Sequence, residues 1–140
     1  MLKEIDNNNA GLYRKENVII SGAKHIPPDF TTLNSEMELF IKWYKDNKDR
    51  LHPIELASLV HILFAKIHPF IDGNERTSRL LLNMELIKQG YPIVVIKNEH
   101  RVEYYNALDK AHSEGKYEDF INIVAKAIEE SLDLYLKLIS

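Results

Sequence analysis

The stretch HPFIDGNERTSR, His68–Arg79, decides how this chain of 140 residues folds. Apolar residues flank it on both sides, since one run ends at Ile67 and another begins with Leu80-Leu81-Leu82. Apolar runs of this kind are typical of helices that are buried in a core. The sequence therefore predicts a polar loop that lies between two core helices and leads directly into the second one.

The side chains of this stretch suit the binding of phosphate groups. The first turn of a helix presents unpaired N–H groups and the positive end of the dipole, which together attract anions. Arg76 and Arg79 are three residues apart and share one helix face, and guanidinium groups match phosphate oxygens. Asp72 is an oxygen ligand of the kind that Mg²⁺ takes beside substrate phosphates, and His68 is a general base suited to neutral pH. These residues predict a triphosphate site with a metal ion and a proton acceptor.

The composition predicts one folded domain and excludes several classes of protein. Hydrophobic residues make up 45% of the chain, which is too many for a disordered protein, and we expect a loose segment at 1–10 before a domain at 11–140. The net charge is −3 with no long basic run, so nucleic acid is not an expected partner. No apolar run reaches the ~20 residues needed to cross a bilayer, and residues 1–10 do not resemble a signal peptide. The absence of cysteine fits a reducing compartment, and we expect a cytoplasmic protein.

The spacing of apolar residues and of capping signals predicts an all-α bundle of five or six helices. The last helix is expected to bury a stripe that includes Leu132 and Leu136. The predicted helices run from Asn34 or Ser35 to about Asp49, from Pro53 to Ile67, from about Arg76 to Gln89, from Asn98 to near Gly115, and from Tyr117 to Ile139.

One part of the chain has the character of strands instead. Residues 14–26 contain the strand formers Val18, Ile19 and Ile20, followed by the turn signal Ser21-Gly22. The sequence predicts a small β-hairpin here.

The stretch at 68–79 resembles the signature of the Fic family, HPFxDGNGRxxR, at every fixed position except Glu75, where the family has glycine. The segments NVIISGAKHIPP, TSRLLLNMELIKQGYPIVVI and EHRVEYYNALDKAHSEGKYEDFINIVAKAIEESLD also resemble Fic proteins. The resemblance extends from about Gly11 to the end and comes closest to the branch with the animal endoplasmic-reticulum AMP transferase. It implies the Fic (Fido) fold, a compact helical bundle in which the hairpin forms a flap over the active site.

The resemblance also implies a reaction, the transfer of AMP from ATP to a Ser, Thr or Tyr hydroxyl of a target protein with release of pyrophosphate. In this protein adenylyltransferase reaction the resemblance makes His68 the expected catalytic base and Asp72 the expected ligand of Mg²⁺. Backbone N–H groups from Gly73 to Glu75 are expected to bind the phosphates, together with the Asn74 amide. Arg76 is expected at the β-phosphate and Arg79 at the γ-phosphate. The implied nucleotide-binding residues are Ser21, Gly22, Ala23 and Lys24 in the flap, Asp72, Gly73, Asn74, Glu75, Arg76, Thr77, Ser78 and Arg79 in the motif, and Tyr104, Tyr105 and His112 beside the base.

The resemblance implies partners as well. A target protein is expected to dock at the edge of the flap, and self-modification is an expectation for the family. Many Fic proteins are inhibited by a glutamate in a separate helix. We find no correctly placed motif for such a glutamate in this chain, so we expect that the chain lacks this inhibition, takes it from an inhibitory partner in trans, or is a fragment.

Glu75 leaves two alternatives open. One is a related transferase that moves a phosphoryl group, and the other is a catalytically weakened Fic domain that binds a nucleotide or a protein. A carboxylate at this position repels a triphosphate if it points inward. Glu75 and Arg79 also have the favourable spacing for a helical ion pair, which suggests a weak brake within the motif.

Overall fold

Five α-helices make up most of the computed structural model, which describes residues 11–140. They are α1 (Leu33–Asn47), α2 (Pro53–Ile67), α3 (Asn74–Lys88), α4 (Arg101–Glu114) and α5 (Glu118–Ile139), with short 3-10 turns at Phe30–Thr32 and Asn98–His100. The prediction of a helical bundle is confirmed. The prediction of a loose segment at 1–10 lies outside the described residues.

Helix α2 is the centre of the bundle and contacts each of the other four helices. Its buried side chains include Ala57 and Ile62, which have no exposed surface. Burial of each large apolar side chain stabilises the fold by about 2 kcal/mol. Helix α2, which buries many of them, therefore contributes strongly to stability. Pro53 occupies the first turn, where its missing N–H does no harm, and the His52 side chain accepts from the N–H of Ile54 at 3.1 Å. The motif that follows Ile67 is therefore attached to the most buried element of the fold.

Two helices begin earlier than the sequence predicts. Helix α1 begins at Leu33, because the 3-10 turn capped by Asp29 runs directly into it, so Asn34 and Ser35 lie inside the helix instead of capping it. Helix α3 begins at Asn74, because Gly73 in the left-handed conformation (φ 81°) turns the chain at once. The first turn of α3 therefore includes Glu75, close to the centre of the motif.

We call residues 14–26 the flap segment, and the prediction that they form a β-hairpin is wrong. The segment contains one turn, in which the N–H of Ala23 donates to the carbonyl of Ile20 at 3.1 Å, and no strand. The physical reason is that its backbone groups bond to other parts of the fold. The N–H of Arg14 donates to Pro69 at 2.9 Å, and those of Lys24 and His25 donate to the Asp109 carboxylate.

The buried stripe of α5 is shorter than predicted. Phe120, Val124 and Ile128 pack in the core, whereas Leu132 and Leu136 are 44% and 59% exposed. The buried residues of α5 all lie in the first half of the helix, and α5 contacts α2 and α4. None of the described helices has the length and apolar character to cross a membrane.

Candidate active site

His68 lies at the C-terminal end of α2 in a conformation that is unusual for its type. It has φ 51° and ψ 59°, and it is the one non-glycine residue with positive φ in the described part of the chain. The left-handed conformation costs about 1 kcal/mol for a residue with a Cβ. Its N–H donates to Phe64 at 3.2 Å, and its carbonyl accepts from Arg14 Nε at 2.8 Å. Contacts on both sides therefore fix the backbone that carries the imidazole.

The surroundings of His68 keep its side chain neutral. Partial burial lowers the pKa of the imidazole, and electrostatic interaction with Arg14 and His25 lowers it further. At neutral pH the ring is therefore ready to accept a proton, which is what a general base requires.

Arg14 is the residue that joins the flap segment to the motif. It is only 2% exposed, and its guanidinium donates to the carbonyls of His68 at 2.8 Å, Glu16 at 3.0 Å and Pro28 at 2.6 Å. The sequence analysis did not find Arg14, because a single arginine in an irregular segment carries no periodic or motif signal.

Asn74 holds the loop of the motif closed. Its Oδ1 accepts from the N–H of Phe70 at 2.9 Å, and its Nδ2 donates to the carbonyl of Phe70 at 2.8 Å. The side chain is buried at 4% exposure. Both polar atoms of the side chain are thus engaged by the loop backbone, and a role of this amide in phosphate binding stays a prediction.

The start of α3 has the features of an anion site. Gly73 is the N-cap and provides no side chain that would bond the first-turn N–H groups. Its own N–H donates to Asp72 Oδ1 at 2.8 Å. The Arg76 guanidinium lies next to this turn, since its Nη2 would be 3.6 Å from a Cβ added at Gly73. A positive side chain therefore lies beside the N-terminal end of α3.

Thr77 and Ser78, expected at the nucleotide, are engaged by the helix itself. The Thr77 hydroxyl donates to the carbonyl of Gly73 at 2.8 Å, and that of Ser78 donates to Glu75 at 2.9 Å. Ser78 is also 1% exposed. The family resemblance implied them, but helical geometry turns these short side chains back to the preceding turn.

Glu75 lies at the centre of a cluster of charged and aromatic side chains. Its Oε1 is 2.7 Å from Arg79 Nη2, and its Oε2 accepts from the Tyr105 hydroxyl at 2.7 Å. Arg101 donates to the same hydroxyl at 3.4 Å and lies 5.5 Å from the centre of the ring. The i,i+4 ion pair expected from the sequence is therefore formed, whereas the contribution of α4 was not foreseen.

The three residues expected beside the base differ in their accessibility. Tyr104 is 1% exposed, its hydroxyl is 2.6 Å from His61 Nε2, and burial raises the pKa of that hydroxyl well above its usual range. His112 donates from Nε2 to the carbonyl of Ile62 at 2.8 Å, and burial lowers the pKa of its ring to about 4. Tyr105 is 36% exposed beside the motif. Only Tyr105 of the three has an accessible ring, because the other two face the core.

Arg79 packs on the buried tyrosine. Its guanidinium carbon is 5.1 Å from the centre of the Tyr104 ring, a distance typical of a cation–π contact. The face of the Tyr104 ring therefore supports the Arg79 guanidinium from the core side.

The end of the flap segment is attached to α4 and to the end of α2. The N–H groups of Lys24 and His25 donate to the Asp109 carboxylate at 3.0 and 3.1 Å. The His25 ring bonds to the carbonyl of Lys66 at 2.9 Å. Nothing in the sequence marks Asp109, because most acidic residues in helices lie on a solvated face.

The predicted flap residues lie in and around one turn. Ser21, Gly22 and Lys24 are exposed, and Ala23 is partly buried. The structure therefore leaves this turn accessible to a partner.

The residues present fit a Mg²⁺ ion that is held mainly by its substrate. Among residues 11–140 no group of three or more His, Asp or Glu side chains converges on a point. Asp72 is an exposed carboxylate just before the start of α3, and the other carboxylate there, Glu75, is paired with Arg79. Mg²⁺ in nucleotide sites is commonly bound by one or two carboxylates with substrate phosphates, and this donor set agrees with that arrangement.

Comparison with known proteins gives related sequences over nearly the whole chain. A model described as the Fic/DOC family matches residues 1–86. The chain is 40% identical over 137 residues to the protein adenylyltransferase Fic of Drosophila sechellia. The aligned region covers 97% of this chain and 27% of the fly protein. The chain therefore spans about a quarter of the length of such relatives.

Solved structures agree with this result. Fic-1 from C. elegans has a TM-score of 0.87 and 32% identity, covering 99% of this chain and 40% of that one. A Fic domain containing signaling protein from Bacteroides thetaiotaomicron has a TM-score of 0.82 and 30% identity, covering 91% of this chain and 54% of that one. The bundle described above is the fold that these proteins share.

Proposed function

The chain belongs to the Fic/DOC family, and from the arrangement of its site we propose that it is a protein adenylyltransferase. It would transfer AMP from ATP to a hydroxyl group of a target protein and release pyrophosphate. The observation that carries the proposal is the position of a neutral, backbone-fixed His68 at the end of α2, one short loop away from the anion site at the start of α3.

His68 acts on the target in this proposal. Its imidazole accepts the proton of the Ser, Thr or Tyr hydroxyl as that oxygen bonds to the α-phosphorus. The bond from the α-phosphorus to the bridging oxygen of the β-phosphate breaks, and its electron pair leaves with pyrophosphate. Arg14 acts through the carbonyl of His68, which it holds in the left-handed conformation.

The start of α3 binds the phosphates. The N–H groups of its first turn and Arg76 supply positive charge that is already in place before ATP arrives. Arg79 lies on the same helix face and would bind the γ-phosphate. Asp72 would hold Mg²⁺, which neutralises charge on the leaving pyrophosphate when bound.

Tyr105 is the side chain that we assign to the adenine base. It is the accessible aromatic residue of the three that the sequence suggested, and it lies on α4 next to the motif. Its ring offers a flat surface for stacking. The buried Tyr104 packs against it, with the two ring centres 5.1 Å apart.

The exposed turn of the flap segment is the proposed docking site for the target protein. The turn lies between α4 and the end of α2, which places it beside the motif. Self-modification and an inhibitory partner in trans remain predictions, as does a cytoplasmic location.

A catalytically weakened Fic domain is the second candidate. The formed ion pair between Glu75 and Arg79 favours it, because Arg79 is already neutralised by a contact of 2.7 Å. Transfer of a phosphoryl group from ATP is the remaining alternative, and the position of the label separates the two transfer reactions.

Intact-protein mass after incubation with ATP and Mg²⁺ tests the proposal. We expect a gain equal to AMP in the unmodified chain and in His100→Ala, an exposed control histidine, and no gain in His68→Ala. A gain that appears only in Glu75→Gly would make Glu75 an inhibitor of the reaction.

A cell lysate with ATP labelled at the α- or the γ-phosphate follows if self-modification is absent. Protein labelled from the α-phosphate, and lost in His68→Ala, supports AMP transfer. Label from the γ-phosphate alone supports phosphorylation, and nucleotide binding without any label supports the weakened domain.

A further inference from the structure

The Glu75 carboxylate is held by two helices at once. Arg79 pairs with one of its oxygens from α3, and Tyr105 donates to the other from α4, both at 2.7 Å. A helical ion pair needs only the first of these contacts. The second keeps the negative charge on the side of α3 that faces α4, where Arg79 and the accessible ring of Tyr105 also lie.

The position of this charge matters for an anionic ligand. Glu75 is the second residue of α3, so its carboxylate lies in the same helical turn that offers N–H groups to phosphate. A carboxylate there interacts well with the helix dipole but repels a bound anion. Repulsion is strongest for the phosphate that would lie nearest Arg79.

The ion pair alone is a weak barrier. The side chains of Arg79 and Glu75 are 35% and 43% exposed, and pairs at such sites contribute under about 1 kcal/mol. A nucleotide can therefore displace Glu75 from Arg79. The negative charge of Glu75 remains near the site after the pair is broken. It repels each phosphate group that the nucleotide brings close to Arg79.

We propose that Glu75 determines nucleotide preference at this site by disfavouring ATP relative to ADP. The inference rests on the proposed function, because it takes Arg79 as the ligand of the γ-phosphate. ADP has no group at that position, so it binds while the contacts of Glu75 with Arg79 and Tyr105 stay intact. A domain of this kind responds to the ratio of the two nucleotides as well as to the amount of ATP.

Isothermal titration calorimetry with ATP and with ADP tests the preference directly. The variants are Glu75→Gln, which removes the charge at nearly constant volume, and Glu129→Gln, which removes an exposed charge on α5. We expect Glu75→Gln to raise the ratio of the ADP Kd to the ATP Kd about tenfold, equal to about 1.4 kcal/mol. The control is expected to leave the ratio unchanged, and the effect is expected to shrink at high salt.

The outcomes separate this inference from the function it rests on. Binding of both nucleotides with the same ratio in Glu75→Gln overturns the role of Glu75 and leaves the nucleotide site intact. A changed ratio without AMP transfer supports the role of Glu75 while the proposed reaction fails. Binding of neither nucleotide by any folded variant overturns both. Tyr105→Phe, which keeps the ring but loses the hydroxyl contact, is expected to shift the ratio in the same direction by a smaller factor.

Discussion

Replacement of Arg14 should destabilise the fold and the site together. In Arg14→Met the side chain keeps much of its apolar length, but the carbonyls of His68, Glu16 and Pro28 lose their donor. Glu16 is exposed, so its carbonyl can bond to water instead. The other two carbonyls are partly buried, and each unsatisfied one costs about 1–3 kcal/mol. We expect a loss of about 3 kcal/mol in the free energy of unfolding.

Urea unfolding followed by circular dichroism measures this loss. With a slope of about 2 kcal/mol per molar for a domain of this size, the midpoint should fall by about 1.5 M. The control is Arg50→Met, an exposed arginine just after α1, for which we expect no change. Arg14→Lys should lie between the two, because an ammonium group lacks the planar fork that reaches several carbonyls.

The site provides a second readout for Arg14. In Arg14→Met the His68 carbonyl has no bond to hold it in place. The backbone of His68 can then leave the left-handed conformation and move the imidazole. AMP transfer or nucleotide-dependent labelling should therefore fall even at temperatures where Arg14→Met is fully folded. An ordinary surface substitution changes the free energy of unfolding by about 0.5 kcal/mol or less. If the free energies of unfolding of Arg14→Met and Arg50→Met differ by no more than that, the reasoning is refuted.

Two further predictions concern the buried polar groups beneath the site. Burial lowers the pKa of His61 to about 3 and of His112 to about 4, and it also lowers the pKa of His68, so below pH 6.5 the unfolded chain binds more protons than the folded chain. His61 and His112 alone should make the free energy of unfolding fall by up to about 2.7 kcal/mol per pH unit as the pH drops towards 4. Urea unfolding from pH 7 to 4.5 checks this, and His112→Asn should remove up to about 1.4 kcal/mol per pH unit from the slope; an unchanged slope would contradict it. Tyr104→Phe leaves His61 Nε2 without its partner at 2.6 Å and should cost about 1–3 kcal/mol in the same assay, whereas a cost near zero would show that this contact is not a stabilising hydrogen bond.

Much of the fold was predictable because the helices follow local rules. Pro53 and the apolar residues after it gave the bounds of α2 correctly, and Gly115 in a left-handed conformation ends α4 near where the sequence predicted. The flap segment was predicted wrongly, because strand propensity describes side chains that pack on a sheet. Here the backbone of that segment bonds to Asp109 and to Pro69, which are distant in sequence.

The sequence by itself determined which groups the motif offers: the imidazole of His68, the carboxylate of Asp72, the turn at Gly73, and the spacing that brings Glu75 to Arg79. These depend on residue type and on helical periodicity, which act within a few residues. Only the tertiary structure decided which side chains are accessible. It directs Asn74 to the loop backbone, and it adds the contacts of Arg14, Asp109 and Tyr105 to the site. These contacts join segments that are far apart in the chain, so their partners are fixed by the packing of α2, α3 and α4 and not by any local pattern.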